Sequence, residues 1–268
     1  MAEVRGVLIN AEMRAEMNAA PDAERKEEPI RETRVVVELG TETEPVLIRF
    51  CTCVRRGTYG TVDSYALRTT AGWIFIDPAR PTPAGADRLR QLIRERPAAT
   101  VLTSDGHERF CYAVREQWGT PVWGPTPGEC QRGVAYGGEP DRLYVEGDTL
   151  PGGLRAVKLA GLWRGDHALL WQAPASAGGG RVLFSGDVLN GQVEPDMSHE
   201  AHFRREPGLY FGSRPAYVER HANPAALKAS LERLLREDFD LIAGAHGRPF
   251  RDDAKAALAR LMETTWGS

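Results

Sequence analysis

The sequence predicts an α/β (α+β) protein built in four layers, αββα, with two sheets packed face to face and helices on both outer sides. Three observations predict it. Strand-like runs come in two blocks. Each block is finished by segments whose apolar residues recur at helical spacing. Several apolar strands run straight into polar loops, which is where α/β folds place their chemistry.

Taken in order, residues 1–30 are rich in Ala, Glu, Arg and Met and read as a flexible or helical arm. Residues 31–268 read as a single domain. Val35–Leu39, Val46–Phe50, Thr61–Leu67 and Gly72–Asp77 form an antiparallel series. Ala84–Arg96 places Leu89, Leu92 and Ile93 on one helical face. Ala99–Leu102 is a short buried strand, followed by the loop Thr103–Arg109 and a helix over Phe110–Trp118. Pro121–Trp123 is a short strand and 124–138 a Gly/Pro-rich loop. A second β series begins near Arg142, with Leu143–Val145, Leu154–Leu159, His167–Trp171 and Arg181–Val188. Leu189–Arg220 lacks periodicity, and a loop of that length in a compact domain is usually functional or a lid. A helix over Pro224–Arg236, a strand over Phe239–Gly244 and a helix over Asp252–Thr264, capped by Asp252, close the chain.

Composition narrows the function. The chain has 268 residues, 42% hydrophobic and 26% charged, as a globular protein does. A net charge of −3 supplies no basic field for nucleic acid. The sequence has no span-length apolar run and no signal pattern, so no membrane partner is expected. Cys51, Cys53, Cys111 and Cys130 show no CxxC or zinc-ribbon spacing, and a cytoplasmic protein with reduced thiols is the default.

The candidate site residues stand at strand ends. His107, Glu108 and Arg109 lie on the loop after Leu102, Asp187 follows Leu183-Phe184-Ser185-Gly186, and His246 sits between two small residues after the last strand. A carboxylate ending a buried strand needs a partner, and small neighbours let an imidazole approach a ligand. Trp123, Trp163, Tyr210 and Phe211 are expected to ring the pocket, which suits an apolar small molecule. His199 and His202 are spaced for chelation but lie in the long loop, where a surface or lid role fits better.

The ordered series Val62–Leu67, Trp73–Pro78, Val101–Thr103, Leu183–Asp187 and Gly244–Pro249 resembles the metallo-β-lactamase superfamily from about Thr61 to Thr264. The resemblance implies a metallo-β-lactamase-like αββα sandwich with a metal site at its strand ends. Typical members carry T-H-x-H-x-D-H in the first loop, because two metals need several imidazoles and carboxylates from one short segment. This sequence keeps Thr103 but has Ser104, Gly106, Glu108 and Arg109 at the ligand positions, and Leu162 where a further His is usual. The resemblance therefore points to a divergent branch with a degenerate motif, for which a dinuclear zinc site is not expected.

Two classes of function follow. One is an enzyme, a hydrolase or lyase acting on a small-molecule ester, thioester, lactone or related substrate. It would use either a single zinc or iron held by His107, Asp187 and His246, with or without Glu108, or no metal, with His107 or His246 as acid/base, Asp187 orienting it and Arg109 holding an anionic group. In the metal-free form Arg109 is expected to pair with Asp187. The other class is a non-catalytic member that binds a small molecule or a protein.

Overall fold

The computed structural model describes residues 32–56, 59–127, 139–162, 164–193, 207–212 and 223–267, with the side chains of 54–60 left aside. The first sheet runs β1 (Glu32–Gly40), β2 (Pro45–Arg56), β3 (Tyr59–Thr69), β4 (Gly72–Ile76), β5 (Ala99–Val101), β6 (Val122–Pro125) and β7 (Arg142–Tyr144), in that spatial order. Strands β1 to β4 pair antiparallel through tight connections, and β4 to β7 pair parallel. Parallel pairing needs crossovers, supplied by α1 (Pro83–Ile93) between β4 and β5 and α2 (Cys111–Trp118) between β5 and β6.

The second sheet contains β8 (Thr149–Leu150), β9 (Leu154–Lys158), β10 (His167–Gln172), β11 (Arg181–Gly186) and β14 (Leu241–Gly244), in the order β14-β11-β10-β9-β8. A two-stranded ribbon, β12 (Leu189–Asn190) with β13 (Tyr210–Phe211), forms a separate small sheet packed against the end of β14. Helices α3 (Pro224–Leu234) and α4 (Ala254–Trp266) cover the second sheet.

Three packed clusters produce the four layers. Leu67, Ile74 and Val101 from one sheet meet Leu169, Trp171 and Phe184 from the other. Leu89, Leu92 and Ile93 press α1 on Ile48 and Phe75, and Leu231 and Leu258 bring α3 and α4 onto Leu183 and Ile242. Helix α1 begins at Pro83, where the missing N–H costs nothing, and Thr82 caps it by accepting from the Gly85 amide at 3.2 Å.

Two details differ from the sequence reading. Arg142–Tyr144 pairs with β6 and so completes the first sheet instead of opening the second series. Its Tyr144 is 1% exposed and donates its hydroxyl to the Leu102 carbonyl, which ties the strand to the other parallel strands. The last helix is not capped by Asp252. The chain enters it through Asp253 at φ 52°, with no capping side-chain bond.

Candidate functional site

The C-terminal ends of β4, β5, β11 and β14 open at one edge of the sandwich, and the side chains that gather there come from all four. Asp77 follows β4 in a left-handed conformation, φ 46°. Its Oδ1 accepts the Thr103 amide at 2.8 Å, and its Oδ2 accepts the Thr103 hydroxyl at 2.5 Å. The same Oδ2 lies 2.8 Å from His107 Nδ1. The carboxylate thereby fixes the imidazole, with the Nδ1 proton on Asp77 and Nε2 turned towards β11. Nε2 meets Asp187 Oδ1 at 3.0 Å.

Asp187 reaches this position because Gly186 bends the end of β11 at φ 55°. A Cβ there would stand 2.6 Å from Thr103 Oγ1, so no larger residue lets the two loops meet. His246 arrives from the opposite side, with Nε2 3.3 Å from the same Asp187 oxygen and Nδ1 donating to the Thr61 carbonyl at 2.6 Å. Its loop is sewn to β3: Tyr65 donates to the Gly244 carbonyl at 2.7 Å, the Asp63 amide to Ala245 at 2.7 Å, and the Gly247 amide to Asp63 Oδ2 at 2.6 Å. Asp63 is in turn held by Arg49 at 2.9 Å, a pair buried on both sides.

Charge in the site follows from these contacts. Burial alone would push His107 down, but the Asp187 and Asp77 carboxylates outweigh it and raise its pKa to about 9. Burial would raise Asp187, and His107 and His246 instead hold it well below the usual carboxylate range. His107 is thus an imidazolium between two carboxylates at neutral pH. Yet His107 Nε2 and Asp187 Oδ1 are buried and share no aligned hydrogen bond. Their approach is an ion contact, and unaligned buried polar atoms of this kind gather at functional sites.

A second carboxylate borders the same space. Asp166 precedes β10, and its burial raises it to about 6 against a hydrogen bond from Ser104 and the charges of His107 and Arg164. Arg164 lies over Gly106: a Cβ built on that glycine would fall 1.3 Å from its Nη1. The guanidinium thus fills the space that a side chain at 106 would enter. His167 is buried, with Nδ1 on the Gly165 carbonyl at 3.1 Å, and burial lowers its pKa.

The structure sorts the candidates. His107, Asp187 and His246 converge. Arg109 stands behind them, its Nη2 3.9 Å from Asp187 Oδ1 and its Nη1 3.5 Å from the Asp77 carbonyl. It therefore does not form the close, two-bonded pair with Asp187 that a vacated metal site led us to expect, because the His107 imidazolium already sits nearer. Glu108 turns away and accepts the Tyr112 hydroxyl of α2 at 2.8 Å. Trp123 is a strand residue of β6 packed against the inter-sheet core, not a loop residue. Phe211 packs on Trp266 of α4, ring centroids 5.1 Å apart, and so anchors the ribbon. Tyr210 pairs with Asn190, three residues beyond Asp187, and stays half-buried with its hydroxyl 3.4 Å from the Pro207 carbonyl. Trp163, His199 and His202 lie outside the described residues. Sequence reading missed Asp77, Asp166 and Arg164. Asp77 carried the same signal as Asp187, an acid closing an apolar run, whereas no pattern marked Arg164.

No family model and no curated protein matches this chain. Solved structures do. A metallo-beta-lactamase from Pontibacter korlensis superposes with a TM-score of 0.57 at 12% identity, covering 88% of this chain and 100% of that one. A metallo beta lactamase from Hirschia baltica gives 0.57 at 13%, covering 87% and 98%. A flavo di-iron protein from Thermotoga maritima gives 0.56 at 14%, covering 88% of this chain and 62% of the other. The chain has the metallo-β-lactamase fold.

The residues present do not fit the two-metal centre that the fold implies. Arg164 occupies the space above Gly106, Leu162 packs against the outer core of the second sheet, and Arg109 brings a cation to a ligand position. Among the described residues, no group of three or more His, Cys, Asp or Glu side chains is placed to hold a metal ion. His107, Asp187 and His246 have the right donor types for one ion. They close on one another, however, at 3.0 and 3.3 Å about a shared oxygen.

Proposed function

We propose that this chain is an enzyme of the metallo-β-lactamase fold that uses its own cations in place of metals, acting on a small-molecule ester, thioester, lactone or related substrate. The observation that carries the reading is the placement of the His107 ring between two carboxylates, tied to Asp77 at 2.8 Å and resting unaligned against Asp187 at 3.0 Å. A proton held in this way is available to a leaving group or a developing oxyanion.

The chemistry then divides among the residues. Asp187, its side chain 35% exposed, is the base that takes a proton from water, and His246, with Nδ1 on the Thr61 carbonyl and Nε2 3.3 Å from Asp187 Oδ1, holds it in place. The hydroxide adds to the substrate carbonyl, and the Arg109 guanidinium faces the oxyanion. As the carbonyl reforms, the bond to the leaving oxygen or sulfur breaks and His107 Nε2 protonates it. A lyase would use the same base and acid on a carbon-bound proton and a leaving group. A non-catalytic binder is the second reading, supported by the His107, Asp187 and His246 side chains closing on one another at 3.0 and 3.3 Å.

The test is a screen of esters, thioesters and lactones with the wild type, Asp187→Asn and His246→Gln. Loss of about 100-fold or more in rate with unchanged folding supports the reading, the scale of a lost acid or base. Turnover that neither change affects, or small-molecule binding without any turnover, rejects it.

A further inference from the structure

Outside this site a cavity lies between α1 and α2, with a volume of about 460 Å³, inside the range of small-molecule sites. Its floor is apolar: Phe50 and Phe75 of the first sheet, Leu89 and Ile93 of α1, and Trp118 of α2. The aromatic rings are mutually tilted, Phe75 standing 6.0 Å from both Phe50 and Trp118, so they form a wall rather than a stack. The rim is of opposite character. Arg80, Arg90, Arg94 and Arg96 line it, and Glu95 is the one acid among the described lining residues. Arg94 donates to the Gln91 carbonyl at 3.1 Å and Arg96 to the Trp118 carbonyl at 3.4 Å, neutral acceptors that leave their charge in place, whereas Arg90 pairs with Asp87. A chain of net charge −3 thus gathers a local excess of cations around an apolar slot.

We propose that this cavity binds a small amphipathic anion, an apolar chain ending in a carboxylate. The tail would lie on the aromatic floor and the carboxylate against the arginine rim, where a guanidinium matches it with two parallel hydrogen bonds. The proposal stands apart from the catalytic reading: Pro78 and Phe110, joined by a 3.0 Å hydrogen bond, separate the cavity from Asp77 and Arg109.

Calorimetric titration of the full chain with decanoate, 1-decanol and butyrate tests it. One decanoate per chain is expected, with the uncharged alcohol and the short acid each at least about tenfold weaker, a difference of about 1.4 kcal/mol. Ala86→Trp, at the half-buried lip of the slot, and the double change Arg94→Glu with Arg96→Glu are each expected to weaken decanoate about tenfold without lowering the melting temperature. Absence of saturable binding, decanol binding as tightly as decanoate, or unchanged affinity in Ala86→Trp overturns the proposal. So does a photo-crosslinker at position 117 that captures residues 1–31 of the same chain, which would assign the slot to the N-terminal arm.

Discussion

Two loops bring a histidine to the same carboxylate oxygen, and they do it by different means. The loop after β5 holds His107 through a side chain: the Asp77 carboxylate takes its Nδ1 and also the amide and hydroxyl of Thr103. The loop after β14 holds His246 through the backbone: Nδ1 rests on the Thr61 carbonyl, and the flanking peptides bond to β3. The second partner sets the difference. A carboxylate behind the ring adds its charge to that of Asp187 and keeps His107 protonated at about 9, while a carbonyl behind His246 supplies a dipole and no net charge. One fold edge thereby carries two imidazoles on one carboxylate, only one of them with a second carboxylate behind it.

The comparison breaks most severely at Asp63. Its carboxylate holds the Gly247 amide and is paired with Arg49, both side chains buried. Arg49 keeps Glu38 at 3.0 Å, so Asp63→Ala strips one buried guanidinium N–H and the Gly247 amide of their acceptor and is expected to cost about 3 kcal/mol. Urea unfolding should show the loss, and NMR should show the His246 signals shifted while those of His107 hold.

The next effect is pH. Because the folded pKa of His107 lies above 6.5, its contribution is fully present below about 6.5 and is lost as pH rises through 9. That removes about 3 kcal/mol across the window, from roughly 2.5 pKa units at 1.36 kcal/mol each. Denaturant melts from pH 6 to 9.5 should trace it. Asp77→Asn should shrink both the window and the slope, because only Asp187 then supports the charge. A slope unchanged in Asp77→Asn would show that the second carboxylate does not set the difference between the loops.

The smallest effect is at Arg109. Its guanidinium is 3.9 Å from an Asp187 side chain that is 35% exposed, so Arg109→Ala should cost no more than about 1 kcal/mol of stability. The rate of a turned-over substrate should fall far more than the melting temperature. A loss of several kcal/mol would mean that Arg109, not His107, balances Asp187.

Much of this was legible in the residues. The layered fold followed from two strand blocks with helical finishes, and Asp187 and His246 were visible as polar residues closing apolar runs. Asp77 obeyed the same rule, but its strand end was read as a structural marker. The pairing of His107 with Asp77 joins residues thirty apart through the parallel register of β4 and β5, which no local pattern states. Trp123 misled because its strand was legible but four residues do not show which face the ring takes, and it packs on the inter-sheet core. Arg164 was invisible for a different reason. Its role depends on the empty volume above Gly106, and a sequence shows the glycine without what fills the space.

The central claim is that protein cations stand where the fold implies metals. Elemental analysis of protein purified without added metal tests it most directly. The account predicts far less than one zinc or iron per chain. One or two tightly held ions per chain, lost in Asp187→Ala, would contradict it.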